Sequence, residues 1–306
     1  MSHRGRFRQA GDYIVYDVAG FRFFMIMGKD MVVRSFHNVC RHRAFPVARK
    51  QSGSATVLGC RYHGWSYDTK GKLIKAPYFD NIPSFDKSQN SLFEIHTKQD
   101  SNGFLHINVS TSEETATTTP LKGTQVGKLG KIRLDAELLD TVEFSGKFNW
   151  KVIRTFLLIP NISTAQVLIA KAVNHQSTST AVSSTGVVRA FSSHGPSPVG
   201  ELNFFPLTTV HTMSGRPFWY QLTYSPESAQ QTKLRCDVYA TNPASKFKFE
   251  GAIKEALEKE LQGKIQDLES QHAKLASSGH NSVGNSLSFP IPRNQCPKLM
   301  SSRQTS

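Results

Sequence analysis

Acidic residues are in short supply: 23 aspartates and glutamates stand against 37 lysines and arginines, a formal charge of +14 over 306 residues. A surplus of that size suits nucleic acid or an acidic protein partner. The basic residues are scattered, however, with no nucleic-acid motif beside them, so nucleic acid is not an expected partner. Long apolar runs are also lacking. Phe21 to Met27 and Phe156 to Pro160 are far shorter than a membrane span, and Met1 to Phe7 carries no signal-like apolar stretch. The expectation is an intracellular, cytoplasmic protein with no membrane partner, and a mean hydropathy of −0.36 agrees with it. Cysteine is scarce, with four in the chain, so a disulfide framework is not implied and a reducing compartment is favoured. A chain of this length holds a sizeable core and has room for two domains.

What is present is a pattern around two of those cysteines. Cys40-Arg41-His42 is followed after 17 residues by Cys60-Arg61-Tyr62-His63. One thiol and one imidazole from each short segment make a set of two thiolates and two imidazoles. Such a set holds a two-iron, two-sulfur cluster, thiolates on one iron and imidazoles on the other, or a structural zinc. Zinc fingers usually pair Cys with Cys and His with His, whereas here each segment contributes one of each.

The flanking residues carry a family resemblance. Phe36-His37-Asn38-Val39-Cys40-Arg41-His42-Arg43 and Leu58-Gly59-Cys60-Arg61-Tyr62-His63-Gly64-Trp65-Ser66-Tyr67-Asp68 resemble the two cluster loops of Rieske proteins. They resemble the oxygenase type, since respiratory Rieske proteins carry a further cysteine in each loop and this chain has none there. The resemblance implies one Rieske-type 2Fe-2S cluster, with Cys40 and Cys60 on one iron and His42 and His63 on the other. A zinc site remains the alternative.

Aromatic and β-branched runs broken by Gly, Asn and Asp predict short strands at Tyr13–Val18, Arg22–Met27, Val32–His37, Leu92–His96 and Phe104–Val109. Gly28-Lys29-Asp30 and Asp68-Thr69-Lys70-Gly71 read as hairpin turns. The fold class expected is α+β, opening with a small antiparallel β-sandwich. Both ligand pairs are expected at hairpin tips. Gly64 reads as a close backbone approach, Trp65 and Tyr67 as shields of the metal, and His37 and His96 as structural.

Further along, Phe148-Asn149-Trp150-Lys151 resembles the start of the catalytic domain of Rieske non-heme iron oxygenase α subunits, with choline monooxygenase-like proteins nearest overall. Asn203–Pro206, Arg216–Tyr220 and Lys233–Tyr239 resemble strands of the same helix-grip domain. Phe249, Ile253, Leu257, Leu261, Ile265 and Leu268 mark an amphipathic helix. The implied organisation is a Rieske domain at 1–110, a linker at 111–140, a partial catalytic-type domain at 141–276 and an irregular tail at 277–306.

The family also carries a mononuclear Fe(II) held by two histidines and a carboxylate. Its His-Cys-Pro-x-x-His motif is lacking. The chain reads Arg154 to Ile169 there, then a Ser/Thr-rich tract with little periodicity to about Gly200, and His175, His194 and His211 have the wrong spacing. The mononuclear ligands and the catalytic residues are therefore unassigned, and Asp267 on the late helix reads as a solvated aspartate. The break in resemblance at 154–200 is the pattern expected of a frame or splicing change. Codons of Ser163, Thr164, Ala165 and Leu168 ending in C, T, C and C would restore the missing motif in the shifted frame. The N-terminus also reads as shortened relative to the family.

The resemblance implies an oxidoreductase fed by an electron-donating reductase or ferredoxin, which a basic rim around the cluster would attract. It would use dioxygen to hydroxylate or demethylate a small-molecule substrate, as a homotrimer. The alternatives are a cluster-only electron-transfer protein and an inactive remnant or mis-spliced product.

Overall fold

The computed structural model describes residues 2–79, 81–109, 132–153, 180–183, 186–190, 199–204, 207–213, 216–244 and 247–277. Ten strands lie in the first part: β1 (Ser2–His3), β2 (Asp12–Val18), β3 (Phe21–Met27), β4 (Val33–His37), β5 (Ser52–Ser54), β6 (Val57–Gly59), β7 (Ser66–Asp68), β8 (Leu73–Lys75), β9 (Glu94–Gln99) and β10 (Phe104–Asn108). Seven form one antiparallel sheet in the order β1-β10-β9-β4-β3-β2-β5, and β6-β7-β8 form a second. Phe24, Ile26 and Phe36 of the larger sheet pack with Leu58, Tyr67 and Leu73 of the smaller, so the two layers share one core.

Both predicted turns are present. Gly28 N–H donates to the Val32 carbonyl at 2.9 Å between β3 and β4. Between β7 and β8, Gly71 N–H donates to the Asp68 carbonyl at 3.0 Å, with Gly71 at φ 76°. A Cβ there would lie 2.5 Å from the Phe36 ring, so the turn needs glycine for space as well as for backbone angle.

The second part holds β11 (Leu138–Gly146), β12 (Thr180–Ser183), β13 (Gly186–Ala190), β14 (Val199–Phe204), β15 (Thr208–Met213), β16 (Phe218–Pro226), β17 (Thr232–Ala240) and the helix α1 (Ala252–Ser277). Its strands form an antiparallel sheet in the order β11-β17-β16-β15-β14-β13-β12. Alternation along β16 and β17 separates the sheet's faces. Phe218, Tyr220, Leu222, Leu234, Cys236 and Val238 meet Leu257, Leu261, Ile265 and Leu268 of α1, while Trp219 and Tyr239 point the other way and meet Phe104 of the first part. Ile132 and Ala136, from the stretch expected to link the domains, are buried with them.

Within the Ser/Thr-rich tract, Thr180–Ser183 and Gly186–Ala190 pair as antiparallel strands. Arg154 to Ile169, His175, His194 and the tail from 278 lie outside the described residues. No helix among the described residues is long and apolar enough to cross a membrane.

Candidate metal centre

Two loops at one end of the sandwich carry the cysteine–histidine pairs, and their backbones are alike. In the first, Cys40 N–H donates to the Phe45 carbonyl at 2.8 Å and Ala44 N–H to the Cys40 carbonyl at 2.9 Å. In the second, Cys60 N–H donates to the Trp65 carbonyl at 2.8 Å and Gly64 N–H to the Cys60 carbonyl at 2.9 Å. Ala44 (φ 56°) and Gly64 (φ 72°) occupy equivalent left-handed positions. The second loop is the tip of the β6–β7 hairpin. The first is not a hairpin tip as expected: β4 is already paired on both edges, to β3 and β9, so the chain leaving it runs on to β5, which pairs with β2. Buried Asn38 closes this longer loop instead. Its Oδ1 accepts from Val47 and Ala48 N–H at 3.0 and 2.9 Å, and its amide donates to the Ala48 carbonyl at 2.7 Å.

The fold brings all four predicted residues to one place, as a thiol pair and an imidazole pair. Cys40 and Cys60 are 2% and 3% exposed. Burial pushes the Cys60 thiol up, the neighbouring Cys40 thiol adds to this, and the Tyr62 and His63 N–H groups oppose it. The His42 and His63 ring centroids are 4.5 Å apart. His42 stacks parallel on Trp65 at 5.0 Å and meets the edge of Phe79, while half-exposed Tyr62 lies on His63 at 4.0 Å. Burial, then His63 and Arg43, lowers the His42 pKa. Neutral imidazole is the form that ligates a metal.

Tyr67 contributes more than shielding. Its hydroxyl accepts from Arg41 N–H at 3.0 Å, which leaves its own hydrogen for the Cys40 Sγ at 3.3 Å. Burial first, then the Cys40 contact, raises the Tyr67 pKa, so the hydroxyl stays protonated and a donor. His37 packs between Phe21 and Phe93 and His96 is exposed on β9, both away from the ligand spacing.

The donor set fits a two-iron cluster better than one zinc ion. The donors are paired by type, Cys60 beside Cys40 and His42 beside His63, whereas a zinc ion would draw all four about one centre. Two thiols beside two imidazoles match a cluster whose irons take different ligands. No second iron set is assembled among the described residues. His211 is buried on β15, bonded to Thr209 Oγ1 at 2.9 Å and stacked on Tyr220, and Asp267 is exposed on α1.

Comparison with known proteins agrees with this geometry. Residues 3–86 match the Rieske [2Fe-2S] domain. The carnitine monooxygenase oxygenase subunit of Acinetobacter baumannii is 30% identical over 159 residues, or 50% of this chain and 41% of that one. The benzene 1,2-dioxygenase subunit alpha of Pseudomonas putida is 37% identical over 78 residues, covering 26% of this chain and 17% of its own. The chain thus spans well under half the length of the curated relatives it matches. A crystal structure of the quaternary ammonium Rieske monooxygenase CntA superposes with a TM-score of 0.72 at 25% identity, over 91% of this chain and 78% of that one. Naphthalene 1,2-dioxygenase shares the fold at a TM-score of 0.59. Residues 3–86 thus match a Rieske [2Fe-2S] domain, and the chain shares the two-part fold of a quaternary ammonium Rieske monooxygenase.

Proposed function

We propose that this chain is an oxidoreductase of the Rieske oxygenase α-subunit type, with Cys40 and Cys60 ligating one iron of the cluster and His42 and His63 the other. The observation that carries this is the pair of matching loops, which set two thiols beside two imidazoles. When bound, the cluster supplies one-electron storage at a potential raised by its histidine ligands. The chain's own residues do the rest. Trp65 and Phe79 pack on His42, backed by Phe85, and exclude water from that side. Tyr67 holds a hydrogen on the Cys40 sulfur, and exposed Tyr62 marks the open side where a donor would approach His63. Arg43 and Arg61 flank that side, so a reductase or ferredoxin with an acidic face is the partner proposed.

By its likeness to the carnitine and quaternary ammonium monooxygenases, the proposed chemistry is dioxygen-dependent oxidation of a small molecule, with quaternary ammonium compounds the first class to try. A cytoplasmic homotrimer is the proposed setting. A cluster-only electron carrier is the second reading, motivated by the lack of a His-Cys-Pro-x-x-His motif in the sequence.

Iron and sulfide analysis of anaerobically reconstituted chain, with electron paramagnetic resonance of the reduced form, tests both. The oxygenase reading expects a Rieske signal, three irons per chain and product formed with dioxygen. Two irons with the signal and no turnover select the carrier. The signal should vanish in His42→Ala and His63→Ala. One zinc with no sulfide overturns the ligand assignment.

A further inference from the structure

The two cluster loops are not held alike. The second is the tip of a tight hairpin, where Gly59 and Ser66 pair in the ladder directly beside the ligands and the Tyr62 and His63 N–H groups point at the Cys60 sulfur. The first has no such base. Its last ladder residue is His37, and the chain rejoins a sheet only at Ser52. Both ligands of this longer loop are met instead by side chains from the arm that follows the second loop. Tyr67 on β7 gives its hydroxyl hydrogen to the Cys40 sulfur at 3.3 Å. Trp65, the residue just before β7, lays its indole parallel to the His42 ring, with 5.0 Å between centroids and 10° between planes.

A ligating imidazole can still turn about the bond that joins it to the chain, and residues in contact with the ligand normally fix that rotation. A flat ring stacked on the imidazole fixes it through shape. Trp65 is itself clamped for this purpose. It is 2% exposed, and Phe79 and Phe85 meet it edge-on at 5.2 and 5.5 Å. Its Nε1 has no acceptor among the described residues, so ring packing rather than a hydrogen bond sets its orientation.

We propose that Trp65 is a positioning residue for the cluster: its indole, carried by the second loop, fixes the ring plane of His42 on the first, and with it the overlap of that imidazole with its iron. The proposal rests on the cluster reading above and adds to it the way in which one loop sets a ligand of the other. A ring that merely kept water out would act through the cage as a whole. One that positions acts on His42 alone.

The test is pulsed electron paramagnetic resonance of the reduced, cluster-loaded full chain, which separates the couplings of the two ligand nitrogens. Trp65→Leu removes the flat face, and Trp65→Phe keeps a smaller one. One nitrogen coupling is expected to shift, further in Trp65→Leu than in Trp65→Phe, while the other holds its parent value. Phe85→Leu, which loosens the cage behind the indole where Phe85 meets Trp65 and Phe79, should shift neither. An unchanged spectrum in Trp65→Leu overturns the proposal, as do equal shifts in both couplings or a shift in Phe85→Leu as large as that in Trp65→Leu. Should Trp65→Leu not take up iron, an unchanged spectrum in Trp65→Phe overturns it equally. Those results leave the cluster reading standing, whereas zinc without sulfide in the parent chain overturns both.

Discussion

Ala44 sits at φ 56°, where an L side chain costs roughly 1–2 kcal/mol that glycine does not. Its counterpart Gly64, at φ 72°, shows which residue the loop geometry favours. Part of the gain from glycine is returned as unfolded-chain entropy, so Ala44→Gly should stabilise the protein by about 0.5–1 kcal/mol. Gly64→Ala should destabilise by about 1–2 kcal/mol, with its new Cβ 3.3 Å from Pro77 Cγ. Urea unfolding of the cluster-loaded chain checks both signs. Tyr67 bears on the potential rather than on stability. A hydrogen bond to a ligand sulfur favours the reduced, more negative state, so Tyr67→Phe should lower the potential. A differential bond worth about 1 kcal/mol corresponds to a fall on the order of 50 mV by voltammetry. The four cluster residues are legible in sequence because each pair lies within four positions and the donor chemistry is restrictive. Tyr67's bond to Cys40 spans 27 positions, and Asn38's closure of the first loop spans ten, so neither leaves a local pattern.

At the scale of elements, α1 is the part that spacing reveals best. Leu257, Leu261, Ile265 and Leu268 recur every three or four residues and make one buried stripe on the sheet. Glu255 in the first turn and Lys274 in the last complement the helix dipole. Leu261 is 1% exposed at the centre of the stripe, so Leu261→Ala should cost about 2–5 kcal/mol in a urea titration. The exposed neighbour Gln262→Ala should change stability by less than about 0.5 kcal/mol. Strands are legible where they are long. The β5, β6, β7 and β8 strands have three residues each, too few to display an alternation, and β9 begins two residues later than its apolar run suggests. There Leu92 N–H is taken by the Gly71 carbonyl at 2.8 Å, across to the β7–β8 turn rather than into the ladder.

Across the whole molecule, the junction of the two parts is the feature least visible in sequence, because its contacts join residues such as Arg6 and Asp237, 231 positions apart. His3 is its most informative member. The ring is buried among Phe104, Trp219 and Tyr239, with centroids 5.1 to 5.2 Å away, so both parts of the chain enclose it. Nδ1 accepts from Gly5 N–H at 3.0 Å, which leaves the single ring hydrogen on Nε2, facing the Asn102 carbonyl at 2.8 Å. Both nitrogens are satisfied only when the imidazole is neutral. Protonation would set a second N–H against the Gly5 donor. Burial accordingly holds the His3 pKa down at about 4, below the ordinary 6.5, against smaller opposing effects from Asn102 and Asp100. In the unfolded chain His3 protonates near 6.5, so between the two values the unfolded state binds more protons and stability rises with pH. The contribution is full above about pH 6.5 and is lost as pH falls toward about 4, to a total of about 3 kcal/mol. Gln at this position keeps an acceptor and a donor but cannot titrate. His3→Gln should therefore lower stability at pH 7.5 yet flatten its decline between pH 6.5 and 4. Denaturant unfolding of both chains at half-unit pH steps checks this, and parallel declines in the two would remove His3 as the acid-sensitive element of the junction.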